Sequence, residues 1–219
     1  MVGGEWAISQ RLQLVLELSP LEAGLTIWPI PIAAFIGGPV AGWALPRVGL
    51  RKLLSATLLL PVIGLTLILL TRDSGGLWEV FGMAALGFGI GASMAAASSA
   101  IMSRASAERA GMAASIEEVS YELGGVMGIT ITGTILTAVY SASLILPREL
   151  AGMSGVRDSL DAALLMSEKL GPDSANLLLN LARNSFDNAF VAVLTMTALM
   201  LAVLAAVLRP NAKLADQLQ

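Results

Sequence analysis

Long apolar stretches separated by short charged segments dominate the pattern of hydrophobic and polar positions along this chain. Five windows contain no Asp, Glu, Lys or Arg, and they cover residues 23–46, 53–71, 80–103, 123–147 and 188–208. At 1.5 Å per residue, a helix over each window is about long enough to cross ~30 Å of hydrocarbon. The regular alternation typical of a transmembrane barrel is absent, so we predict an all-α, polytopic membrane bundle with five complete spans.

The composition also indicates a membrane protein. Of the 219 residues 56% are hydrophobic and only 13% are charged, about half the charged fraction of an ordinary soluble domain. The net charge of −3 is too small to indicate nucleic acid or another highly charged partner. The chain has no cysteine and no histidine, so we expect no thiol chemistry, no metal site, no cofactor and no enzymatic activity.

Three carboxylates lie where the fourth apolar stretch begins, at Glu117, Glu118 and Glu122. At helical spacing Glu118 and Glu122 are one turn apart on one face, with Glu117 beside them and Tyr121 between. Each ionised carboxylate costs roughly 2.5 to 3.5 kcal/mol in hydrocarbon, so this cluster must face protein, water or a bound cation. Without histidine, any handling of protons must use carboxylates such as these.

Glycines at helical spacing predict close contacts between helices. Gly124 and Gly128 directly follow the acidic cluster, Gly87 and Gly91 lie in the third window, and Gly38 lies in the first. A glycine every fourth residue removes side chains from one helix face and lets a neighbouring backbone approach. We therefore expect these positions to be helix-packing surfaces.

The first window is preceded by a clear helix start. Residues 6–18 are too short to span a membrane and look like the end of a helix whose beginning is missing. Ser19 is then expected to be the N-cap, with Pro20 at the first helical position and Glu22 closing a capping box. The window itself contains three prolines, so we predict a kink or a local break. These prolines are Pro29, Pro31 and Pro39.

The charges of the turns predict an orientation in the membrane. The turn between the first two windows contains Arg47, Arg51 and Lys52 and no acid, which is typical of a cytoplasmic turn. Alternation then places the turn with Arg104 and Arg109, and the C-terminal tail, on the cytoplasmic side. The acidic helix is thus expected to enter the membrane from the cytoplasm.

The longest polar connection, residues 143–187, has periodic apolar residues and a break at Gly171-Pro172, so we predict an extracellular amphipathic helical hairpin. The predicted organisation has four parts. They are a helix remnant with an external segment over 1–19, four transmembrane helices over 20–142, the hairpin over 143–187, and the last transmembrane helix with a cytoplasmic tail over 188–219.

Taken together, these segments resemble the C-terminal half of a major facilitator superfamily transporter. The similarity is to the fourteen-helix drug:proton antiporter branch, whose members export quaternary ammonium compounds. Residues 18–24, LSPLEAG, resemble the loop and helix start of that branch, and residues 116–124, IEEVSYELG, resemble its acidic motif.

A third similarity concerns the turn after the first window. Gly42, Arg47 and Gly49, followed by Arg51 and Lys52, match a degenerate copy of the cytoplasmic signature loop of the superfamily. The acidic position of that signature is a proline in this chain, and one of its basic positions is a leucine. These two departures are Pro46 and Leu50.

The resemblance implies a function and a site. It implies a protein of the plasma (inner) membrane, with a cytoplasmic C-terminus, that exchanges lipophilic or quaternary ammonium cations for protons at Glu117, Glu118 and Glu122. It also implies that the N-terminal transporter domain is missing. Because such transporters move substrates between two domains that rock about each other, we expect this chain alone to be inactive in transport.

Alternatives remain for each residue and for the whole chain. Glu117 and Glu118 could lie at the membrane interface and either pair with Arg104 or Arg109 or extend to water. Tyr121 is interpreted more readily as a packing and hydrogen-bonding residue than as a ligand, and Trp28 could equally pack or stack on a cationic substrate. The chain could instead be a non-transporting five-span protein that binds a partner, or one half of a split transporter.

Overall fold

The computed structural model describes residues 1–72, 76–147, 150, 152–153 and 155–209. Within these ranges the chain forms eight α-helices and one 3₁₀ turn and contains no strand. The helices are α1 (Val2–Leu14), α2 (Pro20–Ile27), α3 (Pro29–Val48), α4 (Leu50–Thr71), α5 (Leu77–Met102), α6 (Ala110–Ser143), α7 (Leu160–Ser167) and α8 (Pro172–Val207).

Five helical stretches are long and apolar enough to cross a membrane, which confirms the predicted polytopic helical bundle. Each overlaps one charge-free window of the sequence; the first three begin 3 residues before their windows, and the last two begin 16 residues before theirs. The five stretches are Pro20–Val48, Leu50–Thr71, Leu77–Met102, Ala107–Ser143 and Pro172–Val207.

The start of α2 confirms the predicted capping box. The backbone N–H and the hydroxyl of Ser19 donate to Glu22 Oε2 at 2.9 and 2.8 Å, and the Glu22 N–H donates back to Ser19 Oγ at 3.3 Å. The first span is also broken as expected, since α2 ends at Ile27 and α3 begins at Pro29. Pro29 and Pro31 have no N–H to donate to the preceding turn, so the helix cannot continue there unchanged.

The chain divides into two compact units. The first unit comprises the described residues of 1–25 and 125–194, and the second comprises those of 26–124 and 195–209. The two units contain different kinds of packing.

In the second unit, α5 packs against α3 on one side through Gly87 and Gly91. A Cβ atom on Gly87 would lie only 2.7 Å from the Cα of Ile30, and one on Gly91 only 2.8 Å from the Cα of Ala34. Two glycines four residues apart thus allow the two helix backbones to meet. On α3 the close approach is made by Gly37, since a Cβ there would lie 3.2 Å from the nitrogen of Ala92.

The other side of α5 packs against α4 in a similar way. A Cβ atom on Gly82 would lie 3.0 Å from the carbonyl oxygen of Gly64, and Gly89 lies against the ring of Pro61. Deeper in this unit, the buried Ser55 hydroxyl of α4 donates to the carbonyl oxygen of Ala205 on α8 at 2.8 Å. The glycines of α5 therefore allow α3 and α4 to approach closely on two sides.

In the first unit, Tyr140 of α6 holds the connection that leads to α7. Its side chain is fully buried, and its hydroxyl lies 3.0 Å from the carbonyl oxygen of Val156 and 3.3 Å from that of Ser159. The Ser159 side chain in turn caps α7 by accepting from the N–H of Ala162 at 3.1 Å. Apolar residues at 156, 160 and 163 are buried, as the sequence periodicity indicated.

The region predicted as a helical hairpin over 143–187 has helices on both sides of the predicted break at Gly171-Pro172, but it is less helical than expected. The described residues between 144 and 159 form turns and irregular segments, and α7 is the only helix before Pro172 in the described part of this region. From Pro172, α8 continues without a break to Val207, so the expected boundary before the last span at residue 188 is not an element boundary. The helix can continue through this position because residues 173–207 contain no proline or glycine, and its charged residues Arg183 and Asp187 form ion pairs. Residues 210–219, which include most of the predicted tail, lie outside the described residues.

Candidate functional site

The N-terminal half of α6 carries the three carboxylates. A 3₁₀ turn at Ala107–Arg109 leads directly into α6 at Ala110. The alanine-rich start of the helix, AGMAAS, has high helix propensity, so α6 is already helical several residues before the apolar window begins. Glu117, Glu118 and Glu122 therefore all lie within a helix that is long and apolar enough to span the membrane.

The structure separates the three carboxylates onto two neighbouring faces of α6. Glu117 is buried, with 9% of its surface exposed, whereas Glu118 and Glu122 are exposed. Because successive residues of a helix are rotated by about 100°, Glu118 points away from the direction of Glu117, and Glu122 lies one turn beyond Glu118. The cluster thus contains one inward carboxylate and an exposed pair.

Tyr121 connects the inward carboxylate with α5. Its hydroxyl donates to the carbonyl oxygen of Met94 at 3.4 Å, and Glu117 lies one turn earlier on the same side of α6. Tyr121 is only partly exposed. The Glu117–Tyr121 side of α6 therefore faces α5, while the Glu118–Glu122 side does not.

The arginines of the preceding turn do not neutralise these carboxylates. Within the part of the chain that the structure describes, Glu117, Glu118 and Glu122 take part in no ion pair, and Arg104 and Arg109 form none either. The interfacial pairing that the sequence left open is therefore not formed. The carboxylates of Glu118 and Glu122 are exposed and have no ion-pair partner within the described residues.

Trp28 and the glycines of α6 lie at open positions. Trp28 occupies the break between α2 and α3 and is 52% exposed, and the described hydrogen bonds and ring contacts do not connect it with the carboxylates. A Cβ atom on Gly124 would meet no neighbouring atom within 4 Å, and one on Gly128 would lie 3.8 Å from the nitrogen of Gly3. A Cβ on Gly38 of α3 would likewise have only loose contacts, the nearest at 3.9 Å.

The predicted signature loop covers the eleven residues 42–52, but the turn between its two helices is much shorter than that length suggested. Gly42 and Arg47 lie on α3, Arg51 and Lys52 lie in the first turn of α4, and Gly49 alone connects the two helices. Gly49 has φ 80° and ψ 151°, a backbone conformation that other residues adopt only with strain.

Arg47 does not extend freely from this turn. Its guanidinium carbon lies 4.1 Å from the centre of the Trp43 ring, and one of its nitrogens donates to the Trp43 carbonyl oxygen. Arg51 and Lys52 are exposed. The turn therefore presents three exposed cations, of which Arg47 is stacked on an aromatic ring.

A buried ion pair in the first unit was not anticipated from the sequence. Arg11 of α1 is only 5% exposed, and its Nε donates to Oδ1 of Asp187 on α8 at 2.8 Å. The same guanidinium lies 5.4 Å from the centre of the Phe190 ring. One turn earlier on α8, Arg183 pairs with Glu17. The available signal was the i, i+4 spacing of Arg183 and Asp187 on the polar side of an otherwise apolar helix.

Comparison with known proteins places this site in a family context. The family model described as Major Facilitator Superfamily matches residues 6–156. The methyl viologen resistance protein SmvA of Salmonella typhimurium is 36% identical over 208 residues, which cover 94% of this chain and 42% of that protein. The multidrug efflux pump LfrA of Mycolicibacterium smegmatis is 31% identical over 210 residues, again 94% of this chain and 42% of that protein.

A more distant relative is the tetracenomycin C resistance and export protein of Streptomyces glaucescens, which is 30% identical over 142 residues, 63% of this chain and 26% of that protein. The chain thus spans about two fifths of the length of SmvA and LfrA. No solved structure matches this chain at a significant level.

Proposed function

Because the chain belongs to the Major Facilitator Superfamily, we propose that it forms part of a drug exporter that expels lipophilic or quaternary ammonium cations in exchange for protons. The observation that carries this proposal is the exposed pair Glu118 and Glu122. These two carboxylates lie one turn apart on a helix that can span the membrane, and no ion pair within the described residues neutralises them.

The energetic cost of burying charge supports this assignment. An ionised carboxylate facing lipid would cost roughly 2.5 to 3.5 kcal/mol, and Glu118 and Glu122 would both bear that cost. The exposed face is therefore better explained as the wall of a water-filled path that charged ligands can enter. Glu117, on the same side of α6 as Tyr121, is proposed as a third site for protons or the cation.

In this proposal protons and the cation compete for the same carboxylates, and this competition couples the movement of protons to the movement of the cation. When Glu118 and Glu122 are ionised, they attract a cation; when protons bind them, their charge is lost and the cation is released. A site that can hold either protons or the cation, but not both, exchanges one for the other as it is presented to the two sides of the membrane. Trp28 is proposed to stack on the flat, cationic part of such substrates.

The name of one relative supports a narrower class of substrates for the proposed site. Methyl viologen, named in the description of SmvA, is a quaternary compound with two positive charges. Two ionised carboxylates one turn apart would neutralise a dication of this kind. We therefore propose that doubly charged quaternary compounds are preferred over singly charged ones.

We further propose that transport requires a second transporter domain. The chain spans about two fifths of SmvA and LfrA, and alternating access needs two domains that move against each other. In this proposal the protein lies in the plasma (inner) membrane, with the turn of Arg47, Arg51 and Lys52 and the C-terminus in the cytoplasm. Proteoliposomes containing this chain alone should not expel ethidium when a proton gradient is imposed, and expulsion would refute the requirement.

The test of the carboxylates uses the chain within a transport-competent assembly. We expect Glu118→Gln and Glu122→Gln each to reduce proton-driven efflux of methyl viologen or ethidium at least about ten-fold, because a charged hydrogen-bonding partner is lost. The double variant should be inactive. Initial efflux rates from loaded vesicles with an imposed pH gradient measure the effect.

Glu168→Gln is the matched control, since Glu168 is an exposed carboxylate outside the candidate spans. This variant should transport at the rate of the unchanged protein. Full efflux by the Glu118→Gln/Glu122→Gln double variant would contradict the proposal and assign the carboxylates a structural role.

A further inference from the structure

The turn between α5 and α6 borders an open groove that the proposed transport site does not use. The groove has a volume of about 450 Å³ and lies entirely within the second unit. Its lining includes three polar residues of the connection between the helices, Arg104, Ser106 and Arg109, here called the polar wall. It also includes three apolar residues of the flanking helices, Ile101, Met112 and Ile116, here called the apolar wall.

The polar wall carries two positive charges. Arg104 and Arg109 are exposed, and neither takes part in an ion pair within the described residues. Glu108 is the only acid between residues 103 and 116. Two guanidinium groups and a hydroxyl therefore line one side of the groove, a combination that suits the oxygens of a phosphate group.

The apolar wall continues from the polar wall onto the spanning helices. Ile101 lies in the last turn of α5, and Met112 and Ile116 lie in the first turns of α6. These side chains are 40%, 57% and 60% exposed, although they belong to helices that can cross the membrane. The groove thus passes from cationic to apolar at a helix end, where the headgroups of a bilayer meet its hydrocarbon.

We propose that this groove binds an anionic phospholipid. Arg104 and Arg109 hold the phosphate of the headgroup, Ser106 donates a hydrogen bond to it, and an acyl chain lies along Ile101, Met112 and Ile116. A free phosphate ion would use only the polar wall, whereas a lipid uses both walls. The continuous apolar wall is the reason for assigning the lipid as the occupant.

The experiment measures retention of lipid by the detergent-solubilised chain. The protein is mixed with equal amounts of phosphatidylglycerol and phosphatidylcholine, and bound lipid is counted by native mass spectrometry. The unchanged chain should retain phosphatidylglycerol in preference. The Arg104→Gln/Arg109→Gln variant should lose roughly 25-fold in affinity for it, since each basic side chain near an anionic surface contributes about a five-fold preference.

Two further measurements distinguish a lipid held in this groove from a nonspecific effect of charge and from a free phosphate ion. Arg157→Gln removes an exposed arginine elsewhere in the chain and should leave the retention of phosphatidylglycerol unchanged. Added inorganic phosphate should not displace the lipid. Equal retention by the Arg104→Gln/Arg109→Gln variant, an equal loss with Arg157→Gln, or displacement of the lipid by phosphate would each overturn the proposal.

Discussion

The glycines of α5 and those at the start of α6 share their spacing but have different surroundings. On α5, Gly87 and Gly91 lie so close to α3 that added Cβ atoms would fall within 2.8 Å of its backbone. On α6, a Cβ on Gly124 would meet no neighbour within 4 Å. In the most apolar stretch of each helix, 44% is buried for α5 but only 17% for the stretch that contains α6.

The charged residues show the same contrast. Asp187 of α8 meets the buried Arg11 at 2.8 Å, whereas Glu118 and Glu122 of α6 are exposed and have no ion-pair partner within the described residues. The glycines of α5 contact a neighbouring helix, and Asp187 of α8 pairs with a residue of another helix. In the first half of α6 those positions are open, which is expected of a surface that must exchange ligands or meet another protein domain.

The largest effect is expected when charged residues of α8 and α6 are replaced. Asp187→Ala leaves the buried Arg11 without its carboxylate and should lower the free energy of unfolding by about 3 to 5 kcal/mol. Glu122→Ala removes an exposed carboxylate that has no ion pair within the described residues, and it should change that free energy by no more than about 0.5 kcal/mol. Unfolding of the solubilised chain in an SDS titration measures both. Equal losses would show that α6 is as tightly integrated as α8.

The second largest effect is expected when glycines of α5 and α6 are replaced by alanine. Gly87→Ala places a methyl group against the α3 backbone and should destabilise the chain by about 2 to 3 kcal/mol, because the two helices must separate. Gly124→Ala adds a methyl group in open space and should stabilise it by up to about 1 kcal/mol through helix propensity. The same titration compares the two variants, and destabilisation by Gly124→Ala would indicate a neighbour that contacts this face.

The smallest effect concerns a glycine that is needed for backbone conformation rather than for packing. Gly49→Ala should cost about 1 to 2 kcal/mol, because its φ of 80° and ψ of 151° strain any residue with a Cβ atom, although the space around it is open. Gly42→Ala is the control, since Gly42 is helical and equally open. Similar unfolding midpoints for the two variants would show that the turn can relax.

Much of the fold could be predicted because its causes are local. The length and polarity of the charge-free windows predicted five spans, since hydrocarbon thickness and backbone hydrogen bonding allow few other solutions. The capping box of Ser19 and Glu22 and the break before Pro29 followed from neighbouring residues alone. The placement of all three carboxylates on one helix could likewise be predicted from their spacing.

Tertiary structure decided the features that depend on distant partners. The pairing of Arg11 with Asp187 joins residues 176 positions apart, so no local pattern in the sequence could identify the two partners. The close approach of Gly37 rather than Gly38 was decided by the position of α5 beside α3.

The division of the acidic cluster was decided in the same way. Spacing alone determined that Glu117, Glu118 and Glu122 share one region of α6, but not which of them faces inward. In the structure Tyr121 donates to the carbonyl oxygen of Met94 on α5, Glu117 on the same side of α6 is buried, and Glu118 and Glu122 are exposed. Helical periodicity fixes only the angles between side chains on one helix, whereas the rotation of that helix depends on the neighbour it packs against.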